Sequence, residues 1–452
     1  MDRRSFLKMS LASSVAPLII PSRLWGDQAP SRTLNLACVA IGARGRVITR
    51  AFGGQNRVKV VALCDVDLEK SDCIATREEY PDARVFDDFR VMFDEMADDI
   101  DAVAVSTPDH SHFPIAMHAI KLGKHVFIEK PMANTFQECQ LLVEAAQKYG
   151  VVTQVGNQGF SAQNYDQHQA FAEAGLFAGV HTIIAYMNGR RRWHPWGDVS
   201  GFPEGEPIPR DMNWDVWHTT AEARPFSSRF HPGDWRGWYR YGNGATGDWA
   251  PHILDTAHHF LNLGLPTRVE LEHIKQPNAY IFPLESTLKY HFPEHNGRQA
   301  VDIYWYEGVD NQPTPPPEFG QDTVGETGPY GPSGRFLIGG EYMFHGTSHG
   351  RPLTIIPEAR RREVQGDLPR FGRGMSHYGS FVRAALGEGT CRSTVDIATP
   401  LTQLCCLGTI AQELNTSLDF DPVAKRFIDN DEANALLKGP PPRKGWEHYY
   451  TL

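Results

Sequence analysis

The chain has 452 residues and a formal net charge of -10, from 44 Lys and Arg against 54 Asp and Glu. That length accommodates two domains, and the acidic balance argues against nucleic acid and anionic membrane surfaces as partners, because both demand basic patches. The seven cysteines, Cys38, Cys64, Cys73, Cys139, Cys391, Cys405 and Cys406, are odd in number and lack a CxxC spacing, so neither a disulfide framework nor a zinc cluster is expected. Cys38 and Cys64 lie in apolar runs and read as small buried hydrophobes.

The first residues, Asp2-Arg3-Arg4-Ser5-Phe6-Leu7-Lys8 followed by an apolar run over 9–20, match a twin-arginine export signal. An N-terminal amphipathic helix that happens to hold two arginines is the alternative. The run is too short for a membrane span, which needs about 20 apolar residues, and no later stretch qualifies, so no membrane integration is expected. Residues 1–29 are read as the signal, cleaved between Gly26 and Ala29, with a periplasmic or exported destination.

From 31 to 157 short apolar runs alternate with helical patterns. Strands are predicted over 36–41, 58–63, 102–106, 125–128 and 151–155, with helices such as 67–79 and 114–122 between them. This is the pattern of an α/β, doubly wound parallel sheet that binds a nucleotide. The first strand runs into Ala40-Ile41-Gly42-Ala43-Arg44-Gly45, a GxGxxG fingerprint whose first glycine is Ala40. Asp65 closes the second strand at the distance where such a fingerprint places its ribose-binding carboxylate, which favours NAD over NADP. Arg44 and Arg46 could instead receive a 2′-phosphate, and Asp67 could be the ribose partner. Ser106-Thr107-Pro108-Asp109-His110-Ser111-His112 and Glu129-Lys130-Pro131 each follow a strand end, where open α/β sheets hold ligands. Gly42, Ala43, Arg44, Gly45, Asp65, Thr107, Pro108, His110, His112, Glu129 and Lys130 are therefore the candidate cofactor residues.

Residues 158–452 read as an α+β domain on a mainly antiparallel open sheet, with strands over 269–274, 287–292 and 299–306 and helices over 378–386 and 397–414. The Pro/Gly-rich stretch 308–334 reads as a long loop, either a lid or a disordered connection. A helix is predicted from 248 to about 263, which puts Asp248, His252 and Asp255 on one face, so that Asp248 can orient or polarise His252. Oxidising a carbinol needs a base for the hydroxyl proton and a cation beside the developing alkoxide; His252 fits the first and Lys130 the second. A metal site from Asp248, His252 and Asp255 is conceivable, but there is no HxxxH or HExxH, and none is expected. Arg190-Arg191-Arg192-Trp193-His194 and Trp235-Arg236-Gly237-Trp238-Tyr239 suit sugar rings and hydroxyls, or are core aromatics with snorkelling arginines.

Taken together, these motifs, with Cys64-Asp65-Val66-Asp67, Gln154-Val155-Gly156-Asn157-Gln158, His231-Pro232-Gly233-Asp234-Trp235-Arg236-Gly237-Trp238 and Asp419-Phe420-Asp421-Pro422, resemble the glucose-fructose oxidoreductase, inositol dehydrogenase and related (Gfo/Idh/MocA) family over nearly the whole chain after the signal. The resemblance implies that Lys130, Asp248 and His252 are catalytic, that Lys130, Asn157, Trp235, Arg236, Asp248 and His252 bind substrate, and that the substrate is a carbohydrate or polyol. An exported enzyme of this kind, without a pool of free nicotinamide, is expected to hold NAD tightly and to assemble as a homo-oligomer through its C-terminal sheet. A redox-neutral glycosidase or lyase working through a transient 3-keto sugar is the runner-up, and a non-enzymatic ligand-binding protein the third reading.

Overall fold

A computed structural model of the chain describes residues 33–317 and 330–452. The residues read as an export signal and part of the 308–334 stretch therefore lie outside the described residues. Six short strands, β1 (Leu34–Val39), β2 (Val58–Cys64), β3 (Arg84–Phe86), β4 (Ala102–Val105), β5 (His125–Ile128) and β6 (Thr153–Val155), form a sheet in the order β3-β2-β1-β4-β5-β6. All five pairings are parallel. Parallel strands covered on both faces must be apolar throughout, and Ala37, Leu63, Val103 and Val126 are fully buried. Helices α1 (Ala43–Gly53), α2 (Asp109–Lys121) and α3 (Phe136–Tyr149) pack against the sheet. The last is set by a reciprocal capping box between Thr135 and Glu138 and ended by left-handed Gly150. The strand order reverses between β1 and β4, which opens a crevice at their carboxyl ends.

The second sheet has nine strands, β7 (Val180–Met187), β8 (Arg268–Lys275), β9 (Glu285–Phe292), β10 (Val301–Glu307), β11 (Ser333–Gly339), β12 (Met343–Gly346), β13 (Thr354–Ile356), β14 (Leu418–Asp421) and β15 (Arg426–Phe427). Their order is β13-β12-β11-β7-β10-β9-β8-β14-β15, antiparallel except where β10 runs beside β7. Leu288, Tyr290 and Phe292 alternate inward on β9, as do Val301, Ile303 and Trp305 on β10, and they share one core with Leu404, Leu407 and Ile410. Those leucines belong to helix α7, Val395–Glu413.

The predicted strands are present with shifts of one or two residues at their ends. The helix expected over 248–263 is two helices, α4 (Gly244–Ile253) and α5 (Asp255–Phe260). Pro251 lies near the end of α4 and removes one backbone donor there. The expected division after residue 157 follows chain order, but packing crosses it. Phe381 and Val382, on helix α6 (His377–Ala385), share a core with Leu36, Phe52 and Phe127 of the first sheet's layer. The Val155 N–H donates to the Ser393 carbonyl at 2.7 Å, and Trp446 and Tyr449 join the core of Phe89 and Phe113.

Candidate active site

The turn after β1 is built for close approach. Ala40 takes the left-handed conformation, φ 63°, at the place of the fingerprint's first glycine. Gly42 caps α1 without a side-chain hydrogen bond and no acidic residue sits in that helix's first turn, while the Ala43 N–H donates to the Asp72 carboxylate at 3.2 Å. The Asp65 carboxylate braces the turn, accepting from the backbone N–H of Ile41 at 2.8 Å and of Gly42 at 3.3 Å. A Cβ on Gly45 would lie 2.0 Å from the Ala40 carbonyl oxygen, so only glycine lets helix and strand meet there.

Gly42, Ala43, Arg44, Asp65, Thr107 and Pro108 line one cleft of about 870 Å³. Its far wall is Val216, Trp217 and Thr219, with His231 reaching across to Asp67 at 2.9 Å. The buried Thr107 hydroxyl has no hydrogen-bond partner among the described residues. Glycine turn, acid at the second strand and orphaned hydroxyl fit a dinucleotide.

A second cleft, of about 1630 Å³, continues from the first through Arg44, Lys70, Ser106, Thr107, Pro232 and Trp235. At its centre the Lys130 ammonium donates to Asp248 Oδ1 at 2.6 Å and to the Asp248 carbonyl at 3.0 Å. Arg191 donates to the other carboxylate oxygen, and Arg236 Nε stands 3.7 Å from the first. Burial alone would push the Asp248 carboxyl up, but Arg236, Lys130 and Arg191 together hold it well below the usual carboxylate range. Arg236 is anchored on buried Asp109 at 3.1 Å, and Arg44 on Glu129 at 2.9 Å.

His252 lines the same cleft, and its buried Nδ1 has no hydrogen-bond partner among the described residues. Burial, with Lys130 and His349 nearby, holds its pKa well below the usual imidazole value. It is a neutral ring at neutral pH, with a nitrogen free to take a proton. His349 stacks on it at 4.1 Å between ring centres and donates its backbone N–H to the His252 carbonyl at 3.1 Å.

Lys130, Trp235, Arg236, Asp248 and His252 thus meet in one cleft, with Glu129 and His112 in its wall. Four expectations are corrected. Asp248 does not orient His252; both its oxygens are taken by cations from distant segments, which outcompete a neutral ring. His110 lies off the cofactor cleft, its ring nitrogens within 2.8 Å of the Trp217 carbonyl and 3.3 Å of that of Tyr241; burial pushes its pKa down to about 3. Asn157 is buried away from the substrate cleft, and its neighbour Gln158 lines it instead. Asp255 does not continue the catalytic stripe, because its carboxylate lies against Gly159. The His112 ring stands between the Pro131 and Thr107 carbonyls, its two nitrogens 2.7 and 2.8 Å from them, so that it bridges the two strand-end motifs while its single N–H donates to one of them. Sequence reasoning missed His349, which lies 97 residues from its ring partner with no local pattern to mark it, and the Asp67–His231 and Asp109–Arg236 pairs.

Residues 35–157 match the profile described as oxidoreductase family, NAD-binding Rossmann fold, and 169–291 that of the same family's C-terminal alpha/beta domain. Among curated proteins the chain is 29% identical over 196 residues to a glycosyl hydrolase family 109 protein of Shewanella pealeana, covering 41% of this chain and 40% of that one. It is 28% identical over 194 residues to an alpha-N-acetylgalactosaminidase of Shewanella oneidensis, covering 40% and 41%. The match thus spans about two fifths of these relatives' length. The WlbA dehydrogenase from Bordetella pertussis, solved with NADH and UDP-GlcNAcA, shares the fold at a TM-score of 0.55 and 15% identity, over 86% of this chain and 99% of that one. With both of the family's domains matched over more than half of its length, the chain belongs to the Gfo/Idh/MocA family of NAD-binding oxidoreductases.

Proposed function

We propose that the protein is an NAD-dependent oxidoreductase acting on a secondary hydroxyl of a carbohydrate or polyol, with the cofactor tightly held. The observation that carries the reading is the pairing, in one cleft continuous with the dinucleotide crevice, of a fixed cation, Lys130, and a neutral imidazole with a free nitrogen, His252. Held by the turn at Gly42 and by Asp65 and Thr107 in the first cleft, NAD would supply a hydride acceptor for the carbinol carbon. The His252 imidazole receives the hydroxyl proton. Lys130, fixed against Asp248 at 2.6 Å, stabilises the negative charge that gathers on the oxygen as the proton leaves. Asp109 anchors Arg236 beside the same Asp248 carboxylate. Asp65 disfavours a 2′-phosphate on the adenosine ribose, which supports NAD over NADP.

The names of the curated relatives favour a second reading, the redox-neutral glycosidase, in which oxidation is transient and the same cofactor is restored within the cycle. One experiment separates the two. Purified protein is offered a panel of sugars and aryl glycosides, and bound reduced nicotinamide and products are followed together. A keto sugar with accumulating reduced cofactor supports the first reading; aglycone release without net reduction supports the second. Neither product would retire both. Export through the twin-arginine route and self-association through the nine-stranded sheet belong to the same proposal. Replacing Arg3 and Arg4 by Lys should retain the protein inside the cell, and sedimentation should give a mass above that of one chain.

A further inference from the structure

We propose that the sugar bound in the substrate cleft carries an anionic substituent, a carboxylate or a sulfate or phosphate ester, gripped by Arg190, Arg192 and the free Nε of Arg191. The inference rests on the reading of this cleft as a carbohydrate site and names the class of carbohydrate. Seven basic side chains line the cleft against three carboxylates, in a chain whose overall charge is -10. The excess is therefore local and opposite in sign to the whole protein.

The carboxylates are already committed. Glu129 is matched to Arg44 at 2.9 Å and Asp109 to Arg236 at 3.1 Å. Asp248 is shared between Lys130 and Arg191. Arg190 makes no ion pair or side-chain hydrogen bond among the described residues, and Arg192 reaches only Asp234, 3.7 Å away, with 68% of its side chain exposed. Arg191 spends one terminal nitrogen on Asp248, but its Nε is buried without a hydrogen-bond partner among the described residues. A buried guanidinium N–H left unpaired is costly, and an oxyanion is its natural complement.

The arginines are shaped for that purpose. Arg191 packs its guanidinium over the Trp193 ring, 5.3 Å from its centre. Arg192 lies across Gly233, where a Cβ would come within 1.9 Å of its Nη1, so glycine at 233 makes room for it. Planar guanidinium forks bind carboxylate, sulfate and phosphate oxygens two at a time, which lysines do not. The cofactor's pyrophosphate is not the anion in question, because Arg190, Arg191 and Arg192 line the substrate cleft and not the dinucleotide cleft.

The test is calorimetric titration of the full chain, loaded with NAD, with glucose and galactose against glucuronate, galacturonate, glucose 6-phosphate and glucose 6-sulfate. At least one anionic sugar should bind about tenfold or more tighter than its neutral parent, and which one does so identifies the substituent. In the Arg190→Gln, Arg192→Gln double variant that ratio should fall by about tenfold, and added salt should lower it in the wild type. The proposal is overturned if every anionic sugar binds no better than its parent, or fails to bind, or if the double variant weakens neutral and anionic members equally. An anion preference in binding, with no sugar reducing the bound NAD, would leave the charge assignment standing and retire the redox reading.

Discussion

The Lys130 ammonium and the Asp248 carboxylate, 118 residues apart in the chain, meet at 2.6 Å in the lining of one cleft. The pair belongs to a network of four charges, since Arg191 holds the other oxygen of Asp248 and Arg236 stands 3.7 Å from the first. Lys130→Met should lower kcat/KM by about a hundredfold or more, as loss of a preorganised donor at a developing oxyanion typically does, while NAD still binds. Asp248→Asn should also impair turnover, by freeing the lysine. In a double-mutant cycle the two losses should couple by about 0.5–3 kcal/mol. His252→Asn and Asp248→Asn, which share no hydrogen bond, should be close to additive. Strong coupling of the second pair with none in the first would restore the helix-face arrangement suggested by the sequence spacing.

His252 carries a pH prediction. Its depressed pKa means the charged form is disfavoured in the fold, so the ring stays neutral and able to accept a proton well below the ordinary imidazole value of about 6.5. The acid limb of kcat/KM should therefore fall below that value. His252→Asn should reduce kcat by about 10²- to 10⁴-fold and leave NAD binding intact. An acid limb at or above the ordinary value in the wild type would mean that His252 is not the base.

How much of this was legible in the sequence depended on distance along the chain. The first sheet was readable because parallel strands buried on both faces are continuous apolar runs, and Ala102–Val105 and His125–Ile128 are of that kind. Strand Val180–Met187, central to the second sheet, was not, because His181 and Thr182 interrupt its apolar pattern at the exposed end. The helix carrying Asp248 and His252 was expected, but i,i+4 spacing says only that two side chains are neighbours. It could not report that Lys130 and Arg191 arrive from other segments with full positive charges and claim the carboxylate. The same limit hid the burial of His110 under the Trp217 carbonyl, since a motif marks a strand end and not which of its side chains faces the ligand.

Asp255 gives a stability prediction of definite sign. Burial raises its carboxyl from an ordinary 3.8 to about 6, and one of its oxygens has no hydrogen-bond partner among the described residues. The protonated form is thus favoured in the fold. Its contribution is fully present below about pH 4 and is lost as pH rises through about 6, a change of about 3 kcal/mol for a shift of this size. Wild-type stability relative to Asp255→Asn should fall across that window, measured by denaturant unfolding at successive pH values. A difference that rises with pH instead would show an ionised, well-paired carboxylate.

The glycine turn supplies the last prediction, because its two ends make opposite demands. Ala40 sits at φ 63°, where an L-residue loses about 1–2 kcal/mol relative to a right-handed one. Ala40→Gly relieves that strain but lets the unfolded chain gain entropy, at about 0.5–1 kcal/mol, so stability should be unchanged or rise by up to about 1 kcal/mol. Gly45→Ala goes the other way. Its Cβ would lie 2.0 Å from the Ala40 carbonyl oxygen, a backbone atom that cannot swing aside. Helix Ala43–Gly53 must then move away from the strand, taking with it the N–H groups that face the dinucleotide crevice. Unfolding free energy should drop by about 1–3 kcal/mol, and NAD affinity should fall with it, read by denaturant titration and by cofactor fluorescence on the same preparations. If Gly45→Ala binds NAD as tightly as the wild type, the pyrophosphate is not held at this turn, and the assignment of the first cleft to the cofactor fails.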